Sequence, residues 1–144
     1  MSVEQDDQSD NDEHDGRSAW GRGLAKMREV YGDEVREIPE GVSAFNDVML
    51  RSLFAEVWDR DVLSFRDRRL LAMGVIAANG ATDIWGLQAR SALANGELTV
   101  EELRETLVFL APYAGYPNVA PLVGVTERAI AEANPGPEAE PDKS

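Results

Sequence analysis

The sequence predicts an all-α fold of about six helices joined by short loops. Three observations carry that prediction. Apolar residues recur at helical spacing, Ser and Thr stand where helices would begin, and Gly stands where they would end. No stretch shows the period-two alternation of a half-buried strand.

Ser18 can cap a first helix that runs to about Tyr31, with Gly32 as its left-handed stop. Pro39 and Gly41 mark a connection. Ser43 can cap a second helix reaching about Trp58, in which Phe45, Val48, Met49, Ser52, Leu53, Glu56 and Val57 follow helical spacing, uninterrupted by Gly or Pro. Ser64 followed by Asp67 resembles a capping box and opens a third helix that Gly80 closes. From Leu70 to Ala78 this helix holds only small or apolar residues, the pattern of a helix surrounded by protein. Its first turn instead carries Arg66, Arg68 and Arg69.

Thr82 is the expected cap of a fourth helix ending at Asn95-Gly96 and including Ile84, Trp85, Leu87, Gln88 and Leu93. Thr99 to Glu102 is a full capping box for a fifth, with Leu103, Thr106, Leu107, Leu110 and Ala114 along one face. Pro112 should bend it near its end. Pro117 suits the first turn of a sixth helix that runs past Pro121 to about Ala133. There is no internal repeat and no heptad pattern.

The chain has 144 residues, a formal charge of -13, one His and no Cys. Its length suits one compact domain. Without cysteine there is no disulfide, thiolate nucleophile or Cys-ligated zinc. No apolar run approaches the ~20 residues of a membrane span, and the acidic N-terminus is unlike a signal peptide. These features predict a cytoplasmic protein that does not act at a membrane. The charge balance opposes nucleic-acid binding, because a negative chain repels the phosphate backbone.

The charge is unevenly spread. Residues 1–16 carry seven acids and no base, so a disordered acidic tail is expected there, and a second one over 134–144. Residues 17–133, the expected helical domain, keep a charge of only -4. His14 falls in the first tail, which leaves no imidazole for a general base or metal site in the folded body.

The stretch from Glu56 to Leu70, with Trp58, Arg60, Leu63, Arg66 and Arg68, resembles the γ-carboxymuconolactone decarboxylase family of the alkylhydroperoxidase-like superfamily. That family has a Glu-x-Trp-x-Arg-Pro-Gly-Leu segment and then Arg-x-Arg-x-Leu opening an apolar helix. It continues with Ala-Leu-x-Asn-Gly, a Thr-x-x-Glu box and Tyr-x-Gly-x-Pro. Here these are Ala92 to Gly96, Thr99 to Glu102 and Tyr113 to Pro117, and the resemblance spans about residues 22 to 131. It implies an alkylhydroperoxidase-like helical bundle assembled as a homo-trimer or homo-hexamer. It also implies a decarboxylase that needs no cofactor and no metal.

A carboxymuconolactone can serve as its own electron sink, since the electrons left by CO2 delocalise onto the lactone oxygen. The protein must then bind carboxylates, stabilise an oxyanion and deliver a proton. The resemblance assigns substrate binding to Arg60, Arg66 and Arg68 with Trp58 as a wall, since guanidinium grips carboxylate through two parallel hydrogen bonds. Surface ion pairing with Glu56, Asp59, Asp61 or Asp67 is the competing reading of these arginines.

The family's decarboxylases carry Glu-x-x-x-His on the fourth helix, where this chain has Ile84 and Gln88. Gln hydrogen-bonds but does not exchange a proton near neutral pH. The peroxidase branch places Cys-x-x-Cys-x-x-x-His over Ala81, Ile84 and Gln88, and without a thiol that chemistry is excluded. Glu56 and Tyr113 therefore stand as candidate proton donors, with Gln88 contacting an oxygen. The bland alternatives are a salt bridge for Glu56 and packing for Tyr113. Two functions follow: a cofactor-free lyase acting on a small carboxylated lactone or ring, or a non-catalytic member kept for assembly or ligand binding.

Overall fold

A computed structural model describes residues 17–136. The predicted tail at 1–16, with His14, lies outside the described residues, as does 137–144. The fold is all-α: six helices and no strand among the described residues. They form two compact units, divided between Val62 and Leu63.

The first unit pairs α1 (Ala19–Tyr31) with α2 (Ala44–Met49) and the π-helical stretch Leu50–Val57 that continues it. A single 3-10 turn, Gly32–Glu34, follows α1. The Ser18 hydroxyl accepts from the Gly21 amide at 3.1 Å, and Gly32 stops the helix at φ 57, as the sequence predicts. Met27 and Val30 of α1 are buried, as are Leu50 and Phe54. The approach of the two segments depends on Gly23: a Cβ there would lie 1.9 Å from the Leu50 carbonyl oxygen. Asp47 adds polar ties, accepting from Trp20 Nε1 and from the Gly41 amide, each at 3.0 Å.

Two features of this segment go beyond its helical spacing. The helix after Ser43 is not α-helical throughout, since the Trp58 amide reaches back five residues to the Leu53 carbonyl at 2.8 Å. The stripe of Phe45, Val48, Leu53 and Val57 faces outward, with Phe45 82% exposed. The buried side is Asn46, Asp47, Leu50, Phe54 and Ala55. Close packing of a glycine backbone on α1, together with the Asp47 hydrogen bonds, outweighs the larger apolar stripe.

The second unit contains α3 (Phe65–Ala78), α4 (Thr82–Ala94), α5 (Val100–Ala114) and α6 (Tyr116–Ala133). Met73, Trp85, Leu103, Leu107, Val119 and Leu122 are among its core residues. Trp85 Nε1 donates to Thr126 Oγ1 at 2.8 Å, tying α4 to α6. The Asn118 amide donates to Ala78 O and Ala114 O, closing the ends of α3 and α5 with one side chain. Thr99 and Glu102 form the reciprocal capping box, and Pro112 lies inside α5.

Here too the structure departs from expectation. Leu71 and Val75 of the apolar α3 are each 64% exposed, so the described residues do not surround the helix. Ala81 is the N-cap of α4, and Thr82 starts its first turn. The cause is the preceding stop, in which the Gly80 amide bonds Ala77 O and the Ala81 amide bonds Ile76 O. That Schellman closure leaves no residue between stop and start for a separate cap.

Candidate functional site

The strongest polar constellation forms around Gln88, one of the predicted site residues. Gln88 is 3% exposed, and its Oε1 accepts from Arg69 Nη1 at 2.7 Å. Arg69, fully buried, grips Glu97 with two further bonds, Nε to Oε2 at 2.8 Å and Nη2 to Oε1 at 3.0 Å. Arg69 shares the inward stripe of α3 with Met73 and Ala77, four and eight residues on. Glu97 follows Gly96, the left-handed stop of α4, and its amide bonds back to Ala92 O at 2.9 Å. The Asn95-Gly96 stop thus turns the chain so that a carboxylate lands on a buried guanidinium.

Neither Arg69 nor Glu97 is among the residues that the sequence assigns to a site. The phase of Arg69 with Met73 and Ala77 is a signal that could have found the first. For Glu97 only its place just after a helix stop hinted at a fixed position.

Two of the three members of this network supply no proton chemistry. Guanidinium keeps its proton across the accessible pH range, and an amide does not exchange one near neutrality. Desolvating the pair is costly and is offset by the bidentate geometry and the added Gln88 contact, so removing one partner should cost ~3–5 kcal/mol.

The other predicted residues are placed as follows. Arg66 is at the surface, its Nη2 3.2 Å from Glu102 Oε1, with both side chains 45% exposed. Glu102 is held below the ordinary carboxylate range, first by the Thr99 backbone amide and then by Arg66. The partners of Arg66 and Arg69 thus come from further along the chain than the Glu56, Asp59, Asp61 and Asp67 expected for the cluster. Arg68 is half-buried. Tyr113 is 80% exposed, its ring packed on Phe109 at 5.2 Å. In the first unit Trp58 is buried, whereas Glu56 and Arg60 are exposed.

Two clefts open in the second unit. One, about 540 Å³, lies between α4 and α6 and is lined by charged side chains, Arg90 and Arg128 among them. The other, about 460 Å³, lies between α3 and α5 and is apolar, with Leu70, Leu71, Met73, Phe109 and Leu110 in its wall. None of the predicted site residues lines either cleft.

Comparison with known proteins bears on these positions. The sequence pattern of the Carboxymuconolactone decarboxylase family matches residues 43–128. The chain is 29% identical over 119 residues to nitrosuccinic acid decarboxylase npaB of Metarhizium robertsii, covering 79% of this chain and 82% of that protein. It is also 29% identical over 122 residues to 4-carboxymuconolactone decarboxylase of Acinetobacter baylyi, covering 81% and 90%. No solved structure matches it significantly. The arginine-bearing start of α3, the helix stop at Gly96 and the capping box at Thr99 all fall inside the matched segment, and the chain belongs to the carboxymuconolactone decarboxylase family.

Proposed function

We propose that the chain is a cofactor-free carboxy-lyase acting in the cytoplasm on a small carboxylated compound, either a carboxylated lactone or a diacid with an electron-withdrawing substituent. The observation that carries this reading is the pair of relatives, each aligned over about four-fifths of the chain and each named a decarboxylase. The two named substrates share a chemistry. Electrons released with CO2 pass into a lactone in one and a nitro group in the other, so each substrate is its own electron sink.

The chain then has three tasks: to hold carboxylates, to meet the developing oxyanion and to return a proton. Arg66 takes the first, with Arg68 the other candidate on α3. Its pair with Glu102 is exposed and screened by solvent, so a substrate carboxylate can exchange for Glu102 at little cost. Gln88, fixed by Arg69, contributes polarity toward a substrate oxygen and no proton. The exposed Tyr113 of the second unit and the exposed Glu56 of the first are each a candidate for returning the proton, and Arg60 and the buried Trp58 are the remaining candidates of the first unit.

The test is CO2 release from 4-carboxymuconolactone and nitrosuccinate by the purified full chain. Arg66→Ala should lower kcat/KM by about tenfold or more, the worth of a charge-assisted hydrogen bond. Glu56→Gln and Tyr113→Phe identify the donor by which one removes turnover. The pH profile should lack the limb near pH ~6.5 that an imidazole would produce. No turnover across such a panel, with Arg66→Ala altering stability alone, rejects the reading.

One observation favours a second reading, a non-catalytic ligand-binding member: the position of the family's His holds an amide locked to a guanidinium. Saturable ligand binding without any CO2 release would decide for it. Under either reading we infer a homo-trimer or homo-hexamer, because large apolar side chains of α2 and α3 stand in solvent, Phe45 and Leu71 among them. A monomeric mass by light scattering would contradict this.

A further inference from the structure

The cleft between α4 and α6 contains none of the residues assigned above, and its construction asks for an explanation. Gly86 lies in the middle of α4, where Gly costs ~1 kcal/mol relative to Ala. A methyl group at this position would come within 3.1 Å of both Arg90 Nη1 and Val125 Cγ1. The missing side chain therefore makes room for the Arg90 guanidinium, which folds back one turn over Gly86 in the direction helical side chains favour. A guanidinium is thereby laid across the floor of a cleft of about 540 Å³, a volume typical of small-molecule sites.

The charges around that floor follow from helix register. Gly80 lies against Asn118, Trp85 bonds Thr126, and Gly86 meets Val125, so positions on α4 and α6 rise together. Arg128, three residues after Val125, faces the same cleft, and Glu132 follows one turn later. Asp83, three residues before Gly86, stands at the other end. Asp83, Arg128 and Glu132 form no ion pair with any described residue. Two guanidiniums toward the middle and carboxylates toward the ends divide the lining sharply in sign. A molecule of one charge would meet repulsion within it, and one carrying both signs would not.

We propose that this cleft is a binding site for a small zwitterion, an α-amino acid or a close analogue. The ligand carboxylate lies on Arg90 and Arg128, its ammonium group on Asp83, and its side chain on the apolar surface of Pro121 and Val125. The site is independent of the carboxy-lyase reading and stands or falls without it.

The test is an NMR titration of the 15N-labelled full chain with the standard L-amino acids, and with propionate and ethylamine, which each carry one of the two charges of alanine. At least one amino acid should give saturable shifts at Gly86, Arg90 and Arg128. Arg128→Gln and Asp83→Asn, both at exposed positions that tolerate substitution, should each weaken binding about tenfold or more. Arg66→Ala should leave the titration unchanged. Three results overturn the proposal: no saturable binding by any amino acid, propionate binding as tightly as alanine, or an affinity indifferent to Arg128→Gln.

Discussion

Single residues decide how closely segments approach and which charges are buried. Gly23→Ala would force a methyl into the Leu50 carbonyl, since the site offers only 1.9 Å. Overpacking commonly costs ~1–3 kcal/mol, and contact with rigid backbone places this case at or above about 3 kcal/mol. Urea unfolding should show the loss, and a neutral result would mean that α1 can slide on its neighbour. Arg69 carries the sharper prediction. Arg69→Leu and Glu97→Leu should each destabilise by ~3–5 kcal/mol by stranding a buried charge, while the double variant should recover much of it. If the single losses simply add, the pair is not the coupled unit the geometry implies. Arg69 was partly legible, because its phase with Met73 and Ala77 puts it on the inward stripe. Its partner Glu97 lies 28 residues away, a separation that local pattern does not bridge.

At the scale of elements, capping chemistry is local and so was largely legible. Ser18, Ser43, Ser64 and Thr99 each accept from the amide three residues on, as predicted. Thr99→Ala should cost α5 about 1 kcal/mol, read as a lower Tm. Glu102→Gln should reduce the acid sensitivity of stability, since the Thr99 backbone amide that chiefly lowers this carboxyl survives in Thr99→Ala. That carboxyl is held below its ordinary value of 4.5 in the folded chain, so its contribution is present above that pH and is lost as pH falls through the folded value. An unchanged acid dependence in Glu102→Gln would show that this carboxyl does not set it. The π-helical stretch was illegible for the complementary reason. Leu50 to Val57 has ordinary helical composition, and only its packing shows which hydrogen-bond register results. The same packing sent the Phe45 and Val48 stripe outward, which hydrophobic periodicity alone would have turned inward.

For the whole molecule the relevant field is that of its carboxylates. Glu37 is pulled below the ordinary range by its hydrogen bond to Arg28, and Glu127 by its bidentate pair with Arg104 at 2.8 and 2.9 Å. With Glu102 these are carboxylates depressed on folding, so each contributes stability above pH ~4.5 and loses it below. Stability should be nearly level from pH ~8 to ~5 and then decline together at these sites. All three are exposed, and added salt should weaken the Arg28 and Arg104 pairs. A thermal midpoint that stays flat to pH ~3 would contradict the assignment. The net charge of -13 has a separate origin, since nine of those charges belong to residues 1–16 and 134–144.

The sequence by itself determined the helix count, most of the helix boundaries, the loss of thiol chemistry and the absence of a His or Glu at Gln88 and Ile84. These depend on residue identity and on contacts within a few positions, which a linear pattern records. Only the tertiary structure decided that Arg69 and not Arg66 meets Gln88, that Glu97 balances it, and that Gly86 makes room for Arg90 in the lining of a charged cleft. Those outcomes depend on side chains many residues apart competing for the same buried space, where the desolvation of a charge and the clash of a single methyl outweigh any local preference.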